Sequence, residues 1–213
     1  AAAAAGNLLG LSETEMAHGF HLAATQSCGL YSPTMAKRLN IGKCAQSGII
    51  AVELVKRGYR GVENILEAEH GSFCKAFSDD FNLHAINKDL GREYETLDNC
   101  IKPYTCERPN FTTLDAIREI RSKNQFSTDS VDKVVVYATT VTKNYASGYE
   151  IGGIDTALMS LAYCVGAMLT DGEVSIDQFT SEKVSSRKIL DMAKKVEVKA
   201  TPEFDKLGAK YRD

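Results

Sequence analysis

Up to about Gly91 the apolar residues recur at three- and four-residue intervals, and no stretch alternates as a half-buried strand would. Residues 13–28 predict a helix with Met16, Phe20, Ala23 and Ala24 on its apolar face and Gly29 as its stop. A second helix carries Ala45, Ile49 and Val52 at i, i+4 and i+7 and stops at Gly58, with small residues Ala45 and Gly48 permitting close packing. Its N-terminus is expected near Ile41 to Lys43, and Glu63 to Glu69 reads as a third, short helix. Beyond Gly91 the pattern changes. Asn110 or Thr112 can cap a helix carrying Leu114, Ile117 and Ile120. Lys133 to Thr140 is β-branched, with Val134 and Val136 in register, and predicts a strand. Thr156 to Thr170 is apolar nearly all round, a buried helix with Asp155 as its cap and Gly172 as its stop. An amphipathic helix over Ser186 to Lys194 and a strand over Lys195 to Ala200 follow. The expected fold class is α+β: a partial all-helical domain over 1–91, then a smaller, lid-type α+β domain over 92–213.

Composition narrows the function classes. The chain has 213 residues, 44% hydrophobic and 25% charged, which is ordinary globular protein. A net charge of −3 and the lack of a long basic run give no support for nucleic-acid or membrane partners. No apolar stretch approaches the roughly 18–20 residues that span a bilayer. The six cysteines, Cys28, Cys44, Cys74, Cys100, Cys106 and Cys164, form no CxxC and read as buried free thiols in a reducing compartment. The four histidines show no metal-binding spacing, so neither a metal nor another cofactor is implied.

Three places can carry chemistry. MAKRLNIGKCAQSG, Met35 to Gly48, sets Lys37 and Arg38 just before a helix, whose N-terminus attracts anions. Lys102 stands before Pro103, which biases it toward extended backbone and fixes a turn. Tyr163 shares a helix face with Met159, Gly166 and Thr170, and Gly166 leaves space beside the ring. Cations in turns and a phenol on a buried helix suit a pocket for a polyanionic small molecule. Spacing alone leaves simpler readings open: two solvated lysines, and a core tyrosine bonded to a carbonyl.

The order of these segments resembles the MmgE/PrpD family, which includes 2-methylcitrate dehydratases, cis-aconitate decarboxylases and iminodisuccinate epimerases. KRLNIGKCAQSG matches a family segment of the form KxLxxGxAAxxG, and RGYRGVENILEAEHGSF matches the stretch that follows it. Lys102-Pro103-Tyr104, the strand DKVVVYATT, and Tyr163 through Asp171-Gly172 match collinearly farther on. The resemblance implies catalytic roles for Lys37, Lys102 and Tyr163, and substrate contacts from Arg38, Arg108 and His70. In the decarboxylase branch a histidine lies five positions after the second lysine. Glu107 stands there instead, a departure that argues against cis-aconitate decarboxylation.

The family runs to about twice this length, and the resemblance begins within it. The first helices, with the aspartate and histidine residues that the family places in its pocket, are therefore expected on another piece, and the last strands are expected to end short after TPEFDKLGAKYRD. The opening AAAAA reads either as a genuine run or as placeholder residues. The expected activity is dehydration of 2-methylcitrate or a related alkylcitrate, exercised within a homo- or hetero-oligomer whose other chain supplies the N-terminal helices. The alternatives are a noncatalytic truncated partner subunit, or a decarboxylase or epimerase of the same family. A cytoplasmic location is expected, with the mitochondrial matrix open.

Overall fold

The opening alanines form a helix, as their propensity favours: α1 spans Ala2–Leu8. Ser12 then starts α2 (Glu13–Ala24) with a capping box, its hydroxyl accepting from Glu15 N–H while the Glu15 carboxylate returns to the Ser12 amide at 2.9 Å. These helices belong to a computed structural model that describes residues 1–27, 36–146 and 150–206. Cys28, Gly29 and Met35 lie outside the described residues, as does the chain beyond 206. The chain divides into two compact units, Ala1–Asn99 and Cys100–Asp213.

In the first unit both α1 and α2 pack on the long helix α3 (Ala36–Lys56). The seam is made by small residues. A Cβ on Gly48 would lie 2.7 Å from the Ala2 nitrogen, and one on Gly19 would lie 3.3 Å from Val52 Cγ1. The buried stripe of α3 is accordingly Ser47, Gly48, Ala51, Val52 and Val55. This differs from the expected face: Ala45 is exposed and Ile49 is 50% exposed, because only small side chains fit against α1. The start of α3 is also earlier than expected. Lys, Arg and Leu are good helix formers, and nothing in KRLN breaks the helix, so Lys37 and Arg38 lie inside its first turns. Gly58, at φ +92°, closes α3 with hydrogen bonds from Tyr59 N–H to Leu54 C=O and from Gly58 N–H to Val55 C=O.

The third expected helix is instead a turn. Ala68 N–H reaches Asn64 C=O at 2.8 Å, but of Glu63 to Glu69 only Ile65 is buried, too little packing to offset helix nucleation. Two short helices that periodicity did not disclose follow, α4 (Phe73–Phe77) and α5 (Leu83–Asn87). Ser72 and Asn82 cap them.

The second unit is α+β. Its elements are α6 (Phe111–Lys123), β1 (Val134–Ala138), α7 (Thr140–Ala146), α8 (Ile154–Met159), α9 (Leu161–Asp171), α10 (Ser181–Val184), α11 (Arg187–Ala193), β2 (Val196–Ala200) and α12 (Pro202–Asp205). The two strands pair in parallel, Val134 opposite Val196 and Ala138 opposite Ala200. A parallel pair needs a long crossover, and α7 to α11 supply it. Helix α9 is the hub: α11, α6 and β2 pack around it, and Leu161 and Tyr163 to Leu169 are buried. Gly166 admits α11 at backbone distance, since a Cβ there would lie 2.7 Å from the Ile189 carbonyl oxygen.

The single helix expected over Thr156 to Thr170 is two helices. Ser160 takes extended backbone (φ −85°, ψ 113°), and its hydroxyl accepts the Tyr163 N–H at 3.2 Å, capping α9. Asp155 lies in the first turn of α8 rather than capping it. Gly172 stops α9 at φ +89°, and Arg121 reaches across from α6 to the Met168 and Leu169 carbonyls at 2.9 and 2.7 Å. On α6, Leu114 and Ile117 are buried but Ile120 is 52% exposed.

Candidate functional site

Residues 100–110 run into α6 without regular secondary structure apart from a 3-10 turn, Arg108–Asn110. Fixed points on several sides hold them. The Tyr104 ring is buried 5.6 Å from the Phe111 ring, and its hydroxyl donates to Asp115 Oδ1 at 2.5 Å. Arg118 donates to the same hydroxyl at 3.3 Å and lies over the ring at 6.0 Å. Burial, with the neighbouring Asp115 carboxylate, raises the Tyr104 phenol above its ordinary pKa against the opposing pull of Arg118. The backbone is held as well, Thr105 N–H to Val174 C=O at 3.2 Å and Glu107 N–H to Leu158 C=O at 3.0 Å.

On this anchored segment Lys102 is an exposed side chain whose ammonium donates to the Cys106 carbonyl at 3.2 Å and stands 6.0 Å from the Phe111 ring. One of its three donors is thereby engaged. Arg108, also exposed, has its guanidinium 3.9 Å from the Cys100 sulfur, and Glu107 is half-buried beside it. Two cations thus share one segment that is tied down by neighbouring elements. That arrangement suits a carboxylate ligand, because the loop need not be ordered when the ligand arrives.

Tyr163 is placed differently. It is fully buried, its ring is 5.7 Å from Phe179, and its hydroxyl donates to the Gln178 carbonyl. Burial, with smaller contributions from Cys164 and Asp171, pushes the phenol up to about 12, so it stays protonated at neutral pH. This is the arrangement of a core tyrosine bonded to a carbonyl. Gly166 makes room for α11 rather than for the Tyr163 ring, and Met159 belongs to α8, so the helix face expected around Tyr163 is divided. Beside it, Gln178 accepts from Ser175 N–H and Oγ–H at 3.0 and 2.9 Å and donates to Asp171 at 3.3 Å. Burial works to raise the Asp171 carboxyl, but hydrogen bonds from Lys183 (2.6 Å) and Gln178 outweigh it and hold the pKa below its ordinary value.

In the first unit Lys37 and Arg38 are neighbouring exposed side chains at the start of α3, and His70 is exposed on the turn before Ser72. An open apolar cleft of about 440 Å³ in this unit is lined by Phe20, Ala24, Cys44, Gly48, Leu66 and Phe73 among others, and by none of those three. Five described cysteines are free thiols. Cys44 and Cys100 are exposed rather than buried as expected, because each lies on a surface face or segment. Lys102 and Arg108 thus stand on one anchored segment and Lys37 and Arg38 at the start of α3, while Tyr163 lies in the core of its unit.

Sequence reasoning missed Tyr104, Asp115 and Arg118. The available signal was an acid–base pair at i, i+3 on the helix that follows a Lys-Pro-Tyr turn.

Comparison with known proteins gives a consistent assignment. Profiles of the MmgE/PrpD N-terminal and C-terminal domains match residues 1–85 and 104–213. The chain is 27% identical to a cis-aconitate decarboxylase of Aspergillus terreus, over 97% of this chain and 46% of that protein. It is 24% identical to a cis-aconitate decarboxylase-like protein, oryM, of Aspergillus oryzae, over 98% and 47%. It is also 24% identical to the cis-aconitate decarboxylase of Mus musculus, over 95% and 43%. The chain thus spans about half the length of these curated relatives. With both domain profiles matched in order, one in each structural unit, the chain belongs to the MmgE/PrpD family.

Proposed function

We propose that the protein carrying this chain is a lyase acting on a citrate-like di- or tricarboxylate, with lysine side chains rather than a metal stabilising the substrate's charge. The observation that carries this reading is the anchored 102–108 segment, on which Lys102 and Arg108 are both exposed. Elimination of water requires loss of a proton alpha to a carboxylate and departure of hydroxide. A lysine beside that carboxylate stabilises the charge that develops as the proton leaves.

Glu107 favours dehydration of 2-methylcitrate or an alkylcitrate. It stands where the decarboxylase branch of the family has a histidine, and its carboxyl would repel a substrate carboxylate at that place unless protonated or paired with Arg108. A second reading, decarboxylation of cis-aconitate, is favoured by the names of the relatives reported above. Incubating the complete protein with 2-methylcitrate, citrate and cis-aconitate and identifying products by NMR separates the two. Dehydration gives an unsaturated acid with every carboxylate retained, and decarboxylation gives carbon dioxide. No turnover of any of the three would overturn the lyase reading.

A further inference from the structure

Lys102 and the carbonyl it bonds, that of Cys106, stand on either side of Tyr104, so the 3.2 Å contact closes a small loop with Tyr104 at its middle. The backbone hydrogen bonds that tie this segment down, from Thr105 N–H and Glu107 N–H, both come after Tyr104. Before it stands Pro103, which has no N–H to give. The Tyr104 side chain is therefore the anchor nearest Lys102, and it is 5% exposed. Its hydroxyl is gripped from α6 at two positions one turn apart: it donates to Asp115 Oδ1 at 2.5 Å and accepts from Arg118 at 3.3 Å. Burial, the largest influence on the phenol, keeps its pKa above the ordinary value, so at neutral pH it is a donor. Its ring also backs Phe111 at 5.6 Å, and the Phe111 ring lies 6.0 Å from the Lys102 ammonium. Contacts thus run without a break from α6 through Tyr104 and Phe111 to Lys102.

We propose that Tyr104 and Asp115 are positioning residues for Lys102: the Asp115 carboxylate fixes the phenol, the phenol fixes the 102–106 loop and the Phe111 ring, and these hold the ammonium ready for a substrate carboxylate. This role presupposes that Lys102 binds such a carboxylate, as proposed above. A lysine stem is long and flexible, and ordering it only when the substrate arrives would subtract from binding. Here the bond to Cys106 and the Phe111 ring order it beforehand and leave two of its three N–H donors for the ligand. Neither Asp115 nor Arg118 is buried, and exposed charges by themselves add little to stability. What Asp115 contributes is the direction of the phenol.

A double-mutant cycle on the complete protein tests this, with steady-state kinetics on 2-methylcitrate, citrate and cis-aconitate and a melting curve for every variant. Tyr104→Phe keeps the ring and removes only the hydroxyl. It should raise KM about 2- to 10-fold, the cost of freeing one side chain that was ordered in advance, with a smaller change in kcat. Asp115→Ala should do the same, and Asp115→Asn, which keeps an acceptor for the phenol, should restore most of the parental KM. In the Lys102→Ala background the effect of Tyr104→Phe on KM should shrink to less than about 2-fold, because residues that act through one another are not additive. A merely structural role would lower Tm in both backgrounds alike and leave KM alone. The proposal is overturned if Tyr104→Phe leaves KM unchanged, or changes it by the same factor with and without Lys102. An unchanged KM in Lys102→Ala, or no turnover of any of the three acids, would instead remove the substrate reading itself, and this role with it.

Discussion

Replacing Gly166 by alanine adds one methyl group on the side of α9 along which α11 runs. The new Cβ would lie 2.7 Å from the Ile189 carbonyl oxygen and 3.2 Å from the Ala193 nitrogen. Both are backbone atoms and cannot rotate away. Ordinary contact begins at 3.4 Å, so α9 and α11 must part by about 0.7 Å. Overpacking costs roughly 1–3 kcal/mol, and against two backbone atoms that cannot move aside it falls in the upper part of that range, about 2–3 kcal/mol; the better helix propensity of alanine returns about 1 kcal/mol. The net expectation is a loss of about 1–2 kcal/mol, or a fall in Tm of roughly 2–8 °C. Gly152→Ala is the control in the same unit: nothing lies within 4 Å of a Cβ there, so stability should hold or rise slightly. Thermal and urea denaturation of both variants, followed by circular dichroism, measures the difference. If Gly166→Ala were as stable as the parent, α9 and α11 would not be in backbone contact, and the description of the core would fail.

Tyr163→Phe should cost about 1–3 kcal/mol, because the buried Gln178 carbonyl loses its donor; a large fall in kcat with unchanged denaturation midpoint would instead favour a chemical role for the phenol. Leu114→Ala, at a site with no solvent exposure, should cost about 2–5 kcal/mol in urea titration. The folded-state pKa of Asp171 lies below its ordinary value of 3.8. Its contribution to stability is therefore full above the unfolded-state pKa and is lost as pH falls through the folded one. Asp171→Asn should flatten that acid limb of the stability profile, and an unchanged acid limb would remove the ion pair with Lys183 from the account.

Elements whose own residues bury a face were legible in the chain. Leu114 and Ile117 reveal α6, the β-branched run reveals β1, and Gly172 marks the end of α9. The break at Ser160 was not, because a serine within an apolar run can either continue a helix or cap the next one, and the packing around α9 decides. The buried face of α3 was misjudged for a related reason. Gly48 and Ala51 carry little hydrophobicity, and their value comes from the close approach of α1. At the candidate site, Pro103 made the Lys102 turn legible. The anchor of Tyr104 on Asp115 and Arg118 exists only once α6 has formed. For Tyr163 the chain allowed two readings, and the bond to the Gln178 carbonyl is the feature that distinguishes them.

Steady-state kinetics of Lys102→Ala in the complete protein, on whichever citrate-like carboxylate it turns over, tests most directly the claim that the 102–108 segment binds a substrate carboxylate. A charge-assisted contact is worth about 1.5–3 kcal/mol, so KM should rise roughly 10- to 100-fold. kcat should fall less, and the denaturation midpoint should stay near that of the parent, since the side chain is exposed. Lys102→Arg should recover part of the loss by retaining the charge. Parental KM and kcat in Lys102→Ala, with the fold intact, would contradict the account.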